Sequence, residues 1–333
     1  MKVEKRNIGL DALKFICAFL VVCIHMNLQG EIEKYFITLT RISVPIFFMI
    51  TGFFYKNMIT KGKIQNYILK IFKLCLISNM FYFIFNLIII AITKGNILKY
   101  ICESLGFKAI IRFIIFSDTP IEGHLWYLNA LICTLIFITF INKHFKEKYL
   151  YMIIPFLLMC DLMLGKYSLF LWQKQFNLIF VRNWLFVGVP YFLIGIYIEK
   201  YYKSKTIKMH YLFIFILIFV ITSFLERYFL IIKNLSSFRE HYLSTTLLAI
   251  VVFFLFIERK EKYINFISKM GKSYSLIIYI IHPAIITLLE VFLHNKLEIH
   301  SFIMAVVVFF ISLGISILYN ILKKILYDNY SKI

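Results

Sequence analysis

Apolar runs close to the ~20 residues that a helix needs to cross a bilayer recur along this chain, separated by short segments rich in Lys, Arg, Asn and Glu. Ten such runs are read, at about residues 9 to 28, 36 to 55, 72 to 93, 125 to 142, 149 to 165, 183 to 199, 210 to 231, 242 to 257, 274 to 293 and 301 to 322. The pattern predicts an all-α polytopic membrane helix bundle, with about ten transmembrane helices in a single integral-membrane domain over residues 1–333. No separate soluble domain is expected. The longest polar connection, about residues 94 to 124, is broken by apolar patches at 97–101 and 109–116, which predicts interfacial or re-entrant helices there. The first run contains Asp11 and Lys14 and is followed by no small-residue cleavage site, so it is expected to remain as a helix and not to leave as a signal peptide.

Composition agrees with this pattern. With 61% hydrophobic residues, 37 Phe and 22 Tyr, the chain carries more apolar surface than a soluble domain of 333 residues could hide. Charge then orients the spans, because short cytoplasmic loops concentrate Lys and Arg. With the N-terminus inside, most of the 37 Lys and Arg fall on inner segments, including Lys2, Lys5 and Arg6, the stretch from Lys56 to Lys73, and the stretch from Arg259 to Lys272. Both termini are therefore predicted to be cytoplasmic. The net charge of +20 then needs no nucleic-acid partner: a basic inner surface suits anionic membrane lipids and attracts a polyanionic cytosolic substrate such as a nucleotide thioester.

The six cysteines form no CxxC pair and lie mostly in apolar runs, where Cys packs as a small hydrophobe. No disulfide framework and no metal site are expected. Neither a P-loop, a GxGxxG nor an HExxH occurs, which leaves an ATP-driven pump, a Rossmann enzyme and a zinc protease without sequence support.

Ionisable groups at membrane depth are costly and mark function by default. The first run, GLDALKFICAFLVVCIHMNL, holds three of them: Asp11, Lys14 and His25. Lys14 and His25 are eleven residues apart, which at ~100° and ~1.5 Å per residue is about three whole turns and ~16 Å. A cation near the inner end of the helix and an imidazole further along would thus project from nearly one face. Other polar groups within or beside apolar runs are Ser43, Thr51, Asn79, Asn86, His124, Trp126, Asn129, Arg182, Asn183, His282 and Glu290. The Ser, Thr and Asn residues are read as interhelical hydrogen-bonding groups. Trp126 and Tyr127, at the mouth of the fourth run, stand equally well as aromatic-belt residues or as a binding surface.

Several segments, in order, resemble the membrane-bound acyltransferase family 3. LDALKFICAFLVVCIH resembles the Arg/Lys-x10-His signature of its first helix, and TRISVPIFFMITGFF at 40–54 its second-helix segment. GHLWYLNALI at 123–132 resembles its His-Leu-Trp-aromatic helix start. GVPYFLIGIYI at 188–198 is similar to its small-residue sixth helix, and GKSYSLIIYIIHPAI at 271–285 to its Ser-x3-Tyr-x2-His-Pro element. The pattern from Arg41 is shared with enterobacterial common antigen O-acetyltransferases and with the membrane part of vancomycin-resistance serine racemases. Many polysaccharide-modifying members carry Arg-x-x-Arg after the second helix, where this chain has Lys70 and Lys73; lysine offers phosphate a point charge instead of a bidentate fork.

The resemblance implies an O-acyltransferase that takes an acyl group, acetyl in the first instance, from cytosolic acetyl-CoA or another acyl-CoA. The acceptor would be a hydroxyl of an envelope glycan or of a lipid-linked glycan precursor. His25 would act as general base or nucleophile, with Lys14, Asp11 and His282 as the other catalytic candidates. Lys14, Lys70, Lys73 and Arg41 would meet the phosphates of the acyl-CoA. His124, Trp126, Tyr127 and Glu290 would meet the acceptor. The abundance of Ile and Lys fits an AT-rich bacterium and hence a multi-pass protein of the bacterial cytoplasmic membrane. Two other classes compete: a transporter of a small solute such as an amino acid, as the racemase relatives suggest, and a structural or sensory membrane protein without turnover. The absence of a racemase sequence after the tenth run argues for the acyltransferase.

Overall fold

The computed structural model describes residues 7–26, 30–202, 207–235, 241–258, 265–293 and 301–330. Among them there are fourteen α-helices and no strand. Charged positions used above to orient the chain, such as Lys2, Lys5, Arg6 and Arg259, lie outside the described residues. Cα packing divides the chain into two compact units, one of residues 1–43 with 255–333 and the other of 44–254.

The first unit holds α1 (Ile8–His25), α2 (Glu31–Thr40), α13 (Asn265–Leu293) and α14 (Ser301–Tyr330). α1 begins where Asn7 Oδ1 accepts the Leu10 N–H at 3.0 Å, and Asp11 sits in the first turn, where the helix dipole favours an anion. Its apolar side closes a core of Ala18, Val22, Ile278, Ile285, Ile286, Val308 and Phe309. Phe15 and Phe19 meet the edge of Phe309, both with centroids 5.2 Å away. The approach of α13 to α1 depends on Gly271: a Cβ there would stand 1.9 Å from the Asp11 carbonyl oxygen.

The second unit contains α3 (Ser43–Thr60, entered just before the unit begins), α4 (Ile64–Ile92), α5 (Ile97–Leu105), α6 (Phe107–Phe116), α7 (Trp126–His144), α8 (Glu147–Leu164), α9 (Ser168–Trp172), α10 (Val189–Tyr201), α11 (Met209–Ile232) and most of α12 (Leu243–Glu258). α3 and α10 lie backbone to backbone: a Cβ on Gly52 would stand 2.0 Å from the Phe192 oxygen, and one on Gly195 2.1 Å from the Met49 oxygen. By contrast with the largely buried α7, α11 leaves most of its Phe, Ile and Leu side chains exposed, as lipid-facing positions are.

Eight helical segments among the described residues are long and apolar enough to cross a membrane. Two further expected spans fall short for separable reasons. α8 carries Glu147, Lys148 and Asp161 within its 18 residues, and α12 has 16 residues. The chain is thus a polytopic helical bundle, as the hydropathy pattern predicts. The two apolar patches in the 94–124 connection are helical too, as α5 and α6. Cys17, Cys23 and Cys75 are buried as expected, whereas Cys102 is exposed on α5.

Candidate active site

In the first unit two pairs of predicted residues meet, one within α1 and one between α1 and α13. At one end Lys14 Nζ donates to Asp11 Oδ1 at 3.0 Å, one turn apart on α1. The lysine side chain is 27% exposed and the aspartate 9%, so the ammonium is carried into the helix beside its own counter-ion. Eleven residues on, the His25 ring lies 5.1 Å from the His282 ring of α13. His282 is fully buried, and its Nδ1 is 3.0 Å from the Ile278 carbonyl oxygen. A carbonyl can only accept, so Nδ1 carries a proton and in the neutral ring the lone pair is at Nε2.

The local sequence explains this placement. Ser275, Tyr279 and His282 are spaced i, i+4 and i+7, on one face of α13. Ser275 Oγ donates back to the Gly271 carbonyl at 2.6 Å, and the Tyr279 ring is 6.4 Å from that of His282. Pro283 has no N–H to give to the Tyr279 carbonyl, yet the helix continues through it. Glu290 lies about two turns beyond His282 and is exposed. Arg41 closes α2, where its backbone N–H reaches the Thr38 carbonyl, and its side chain is half-buried.

The second unit holds the other candidates. His124 is 2% exposed, with its ring 4.9 Å from Tyr82 and its Nδ1 3.5 Å from Glu122 Oε1. Trp126 carries the Arg182 guanidinium 5.4 Å from its ring centroid, a cation–π contact. Tyr127 packs between Phe47 and Phe48, at 5.8 and 4.9 Å, in the interior of the unit. Lys70 and Lys73 are both exposed and one turn apart on α4, which starts at Ile64 and so includes them in the helix instead of the loop before it. Among the polar residues expected to bridge helices, Asn129 donates to the Phe113 carbonyl at 2.6 Å and Asn86 to that of Ile121 at 3.0 Å, which ties α7 and α4 to the 94–124 connection. Ser43 and Asn79 bond carbonyls within their own stretch of chain, at Thr40 and Cys75.

The sequence reading passed over a second polar cluster in this unit. His241 Nδ1 lies 3.0 Å from Asp161 Oδ2, with both side chains almost fully buried. The Tyr191 ring stands 5.9 Å from His241, and the Lys166 ammonium 4.4 Å from the Tyr242 ring. Nearby, Glu226 of α11 accepts from Tyr167 Oη and from the Leu243 and Ser244 N–H groups, so it caps α12. The Tyr167 phenol is pushed up from its ordinary value by burial first and then by this carboxylate. Asp161 lies in the fifth apolar run and meets the same condition as Asp11, an ionisable group at membrane depth, so the aspartate was legible in the sequence though its partner His241 was not. Among the described residues no group of three or more His, Cys, Asp or Glu is arranged to hold a metal ion.

The helix-borne lysine and histidine, the His-Pro element and the glycine contacts all fall within one homologous region. A profile described as Acyltransferase domain matches residues 7–321, and the chain belongs to that family of membrane acyltransferases. Among curated proteins it is similar to two from Enterococcus faecalis, each named Amino-acid racemase. One is 26% identical over 313 residues, covering 86% of this chain and 42% of the relative. The other is 29% identical over 226 residues, covering 62% and 30%. The chain therefore spans less than half the length of these relatives. No solved structure matches.

Proposed function

We propose that this protein is an integral-membrane O-acyltransferase that moves an acyl group, acetyl in the first instance, from acyl-CoA to a hydroxyl of an envelope glycan or a lipid-linked glycan precursor in a bacterial cytoplasmic membrane. The observation that carries this reading is the pairing of His25 with His282 on helices that lie within the region matched by the family. An imidazole with an unperturbed pKa of ~6.5 suits proton transfer near neutral pH. His25 takes the proton of the acceptor hydroxyl as its oxygen attacks the thioester carbonyl. The C–S bond then breaks, and the proton passes to the departing CoA thiolate, leaving an ester. His282, with Nδ1–H committed to Ile278, keeps its lone pair at Nε2 and serves in this reading to steady the charge on the neighbouring His25 ring. Lys14, Lys70, Lys73 and Arg41 are the cations proposed for the phosphates of the acyl-CoA. Trp126, Tyr127, His124 and Glu290 are those proposed for the acceptor.

The test compares base-labile acyl groups on envelope glycans from cells with the wild type, with His25→Ala at matched protein level, and without the gene. Esters only with the wild type support the reading; the same esters in all three overturn it. The Enterococcus relatives are named for a reaction on amino acids, and a second reading, carriage of an amino acid, predicts His25-dependent solute uptake with unchanged glycans.

A further inference from the structure

In the first unit, Gly271 of α13 abuts the early turns of α1: a Cβ there would stand 1.9 Å from the Asp11 carbonyl oxygen and 3.0 Å from the Phe15 nitrogen. Eleven residues further along α13, His282 meets His25, which is itself eleven residues beyond Lys14. Residue numbers rise together along this contact, so the two helices run parallel. Lys272 therefore stands level with Lys14, about 15 Å along α13 from His282 at ~1.5 Å per residue.

The packing also fixes which flank of the seam each cation takes. On α1, Phe15 and Phe19 turn towards Phe309 of α14, and at ~100° per residue Lys14 and His25 fall on the other flank. On α13, Tyr274 and Ile281 pack against the core that holds Val308 and Phe309, and Lys272 and Tyr279 fall on the other flank. Because the helices are parallel, the flanks away from α14 coincide. Lys14, Lys272 and His25 thus border one strip, with both cations at one end and the imidazole at the other.

We propose that Lys272 is a further acyl-CoA-binding residue, which joins Lys14 in holding the diphosphate while the extended pantetheine arm carries the thioester along the strip to His25. The assignment rests on the acyltransferase reading and deepens it. A diphosphate carries more than one negative charge, and the Lys14 ammonium is already countered by Asp11 at 3.0 Å. Lys272 supplies the missing charge: it is exposed, Lys269 lies one turn before it, and α13 has no Asp or Glu ahead of Glu290.

The probes are acetyl-CoA and S-acetylpantetheine, which lacks the phosphates, each titrated by calorimetry into the purified full-length protein in detergent. Lys272→Gln should weaken acetyl-CoA about tenfold, the effect of losing one charge-assisted contact, and leave S-acetylpantetheine unchanged. Lys272→Arg keeps the charge and should keep most of the affinity. Lys324→Gln removes an exposed charge of α14, the helix on the opposite flank, and should leave acetyl-CoA binding as it is. In a CoA-release assay the Lys272→Gln loss should appear in KM with kcat retained. Equal acetyl-CoA affinity in wild type and Lys272→Gln overturns the proposal. An equal loss for S-acetylpantetheine, or an equal loss in Lys324→Gln, overturns it too, since the first marks a structural effect and the second a general field. In those cases His25-dependent esters still form and the acyltransferase reading stands. If wild type binds no acetyl-CoA saturably and no His25-dependent ester forms, that reading falls and takes the assignment of Lys272 with it.

Discussion

The contact between His25 and His282 predicts a particular pattern of non-additivity. Removing the base, His25→Ala, should lower turnover by about 10²–10⁴-fold, the usual worth of a positioned general base. Removing its neighbour, His282→Ala, deletes one hydrogen bond or charge contact made as His25 becomes cationic. Such an interaction is worth about 1.5–3 kcal/mol, or roughly 10- to 150-fold in rate. His282 is fully buried and its Nδ1 is tied to Ile278 at 3.0 Å, so its ring is held in one orientation and the loss should appear in kcat more than in KM. The double variant should then be no slower than His25→Ala alone, because His282 acts only through His25. The assay is release of free CoA from acetyl-CoA by purified protein with membrane acceptor, paired with a thermal melt of each variant. Multiplicative losses in the double variant, with folding intact, would refute the argument that the two rings form one unit.

Other consequences follow from packing and burial. Gly195→Ala and Gly52→Ala should each destabilise the second unit by about 1–3 kcal/mol or more, since the new Cβ meets backbone at 2.1 or 2.0 Å; Gly314→Ala, with nothing within 4 Å, should be neutral or stabilising, and detergent melts compare all three. Asp161→Leu and His241→Leu should each cost about 3–5 kcal/mol by leaving a buried charge or imidazole behind, and the double replacement should recover part of the loss; a double variant worse than both singles would contradict this. Glu226→Ala should cost about 0.5–2 kcal/mol and raise amide exchange at Leu243 and Ser244, whose N–H groups it accepts.

The sequence by itself determined the class and the elements. A run of ~20 apolar residues in a bilayer must bond its backbone internally, so hydropathy alone places helices, and α1, α7 and α11 fall where the pattern puts them, while α4 begins about two turns earlier than its apolar run. Helical spacing also sufficed to align Lys14 with His25, because that relation lives within one helix. Partners across helices were not legible. That His25 faces His282, that Asp161 meets His241, and that Tyr127 packs among phenylalanines depend on which helix faces are pressed together. In an apolar chain nearly every face is hydrophobic, so periodicity carries little information about facing. The decisive contacts are instead set by close approaches at Gly52, Gly195 and Gly271, where the absence of a Cβ lets two backbones touch, and a glycine in the sequence does not say which backbone it will meet.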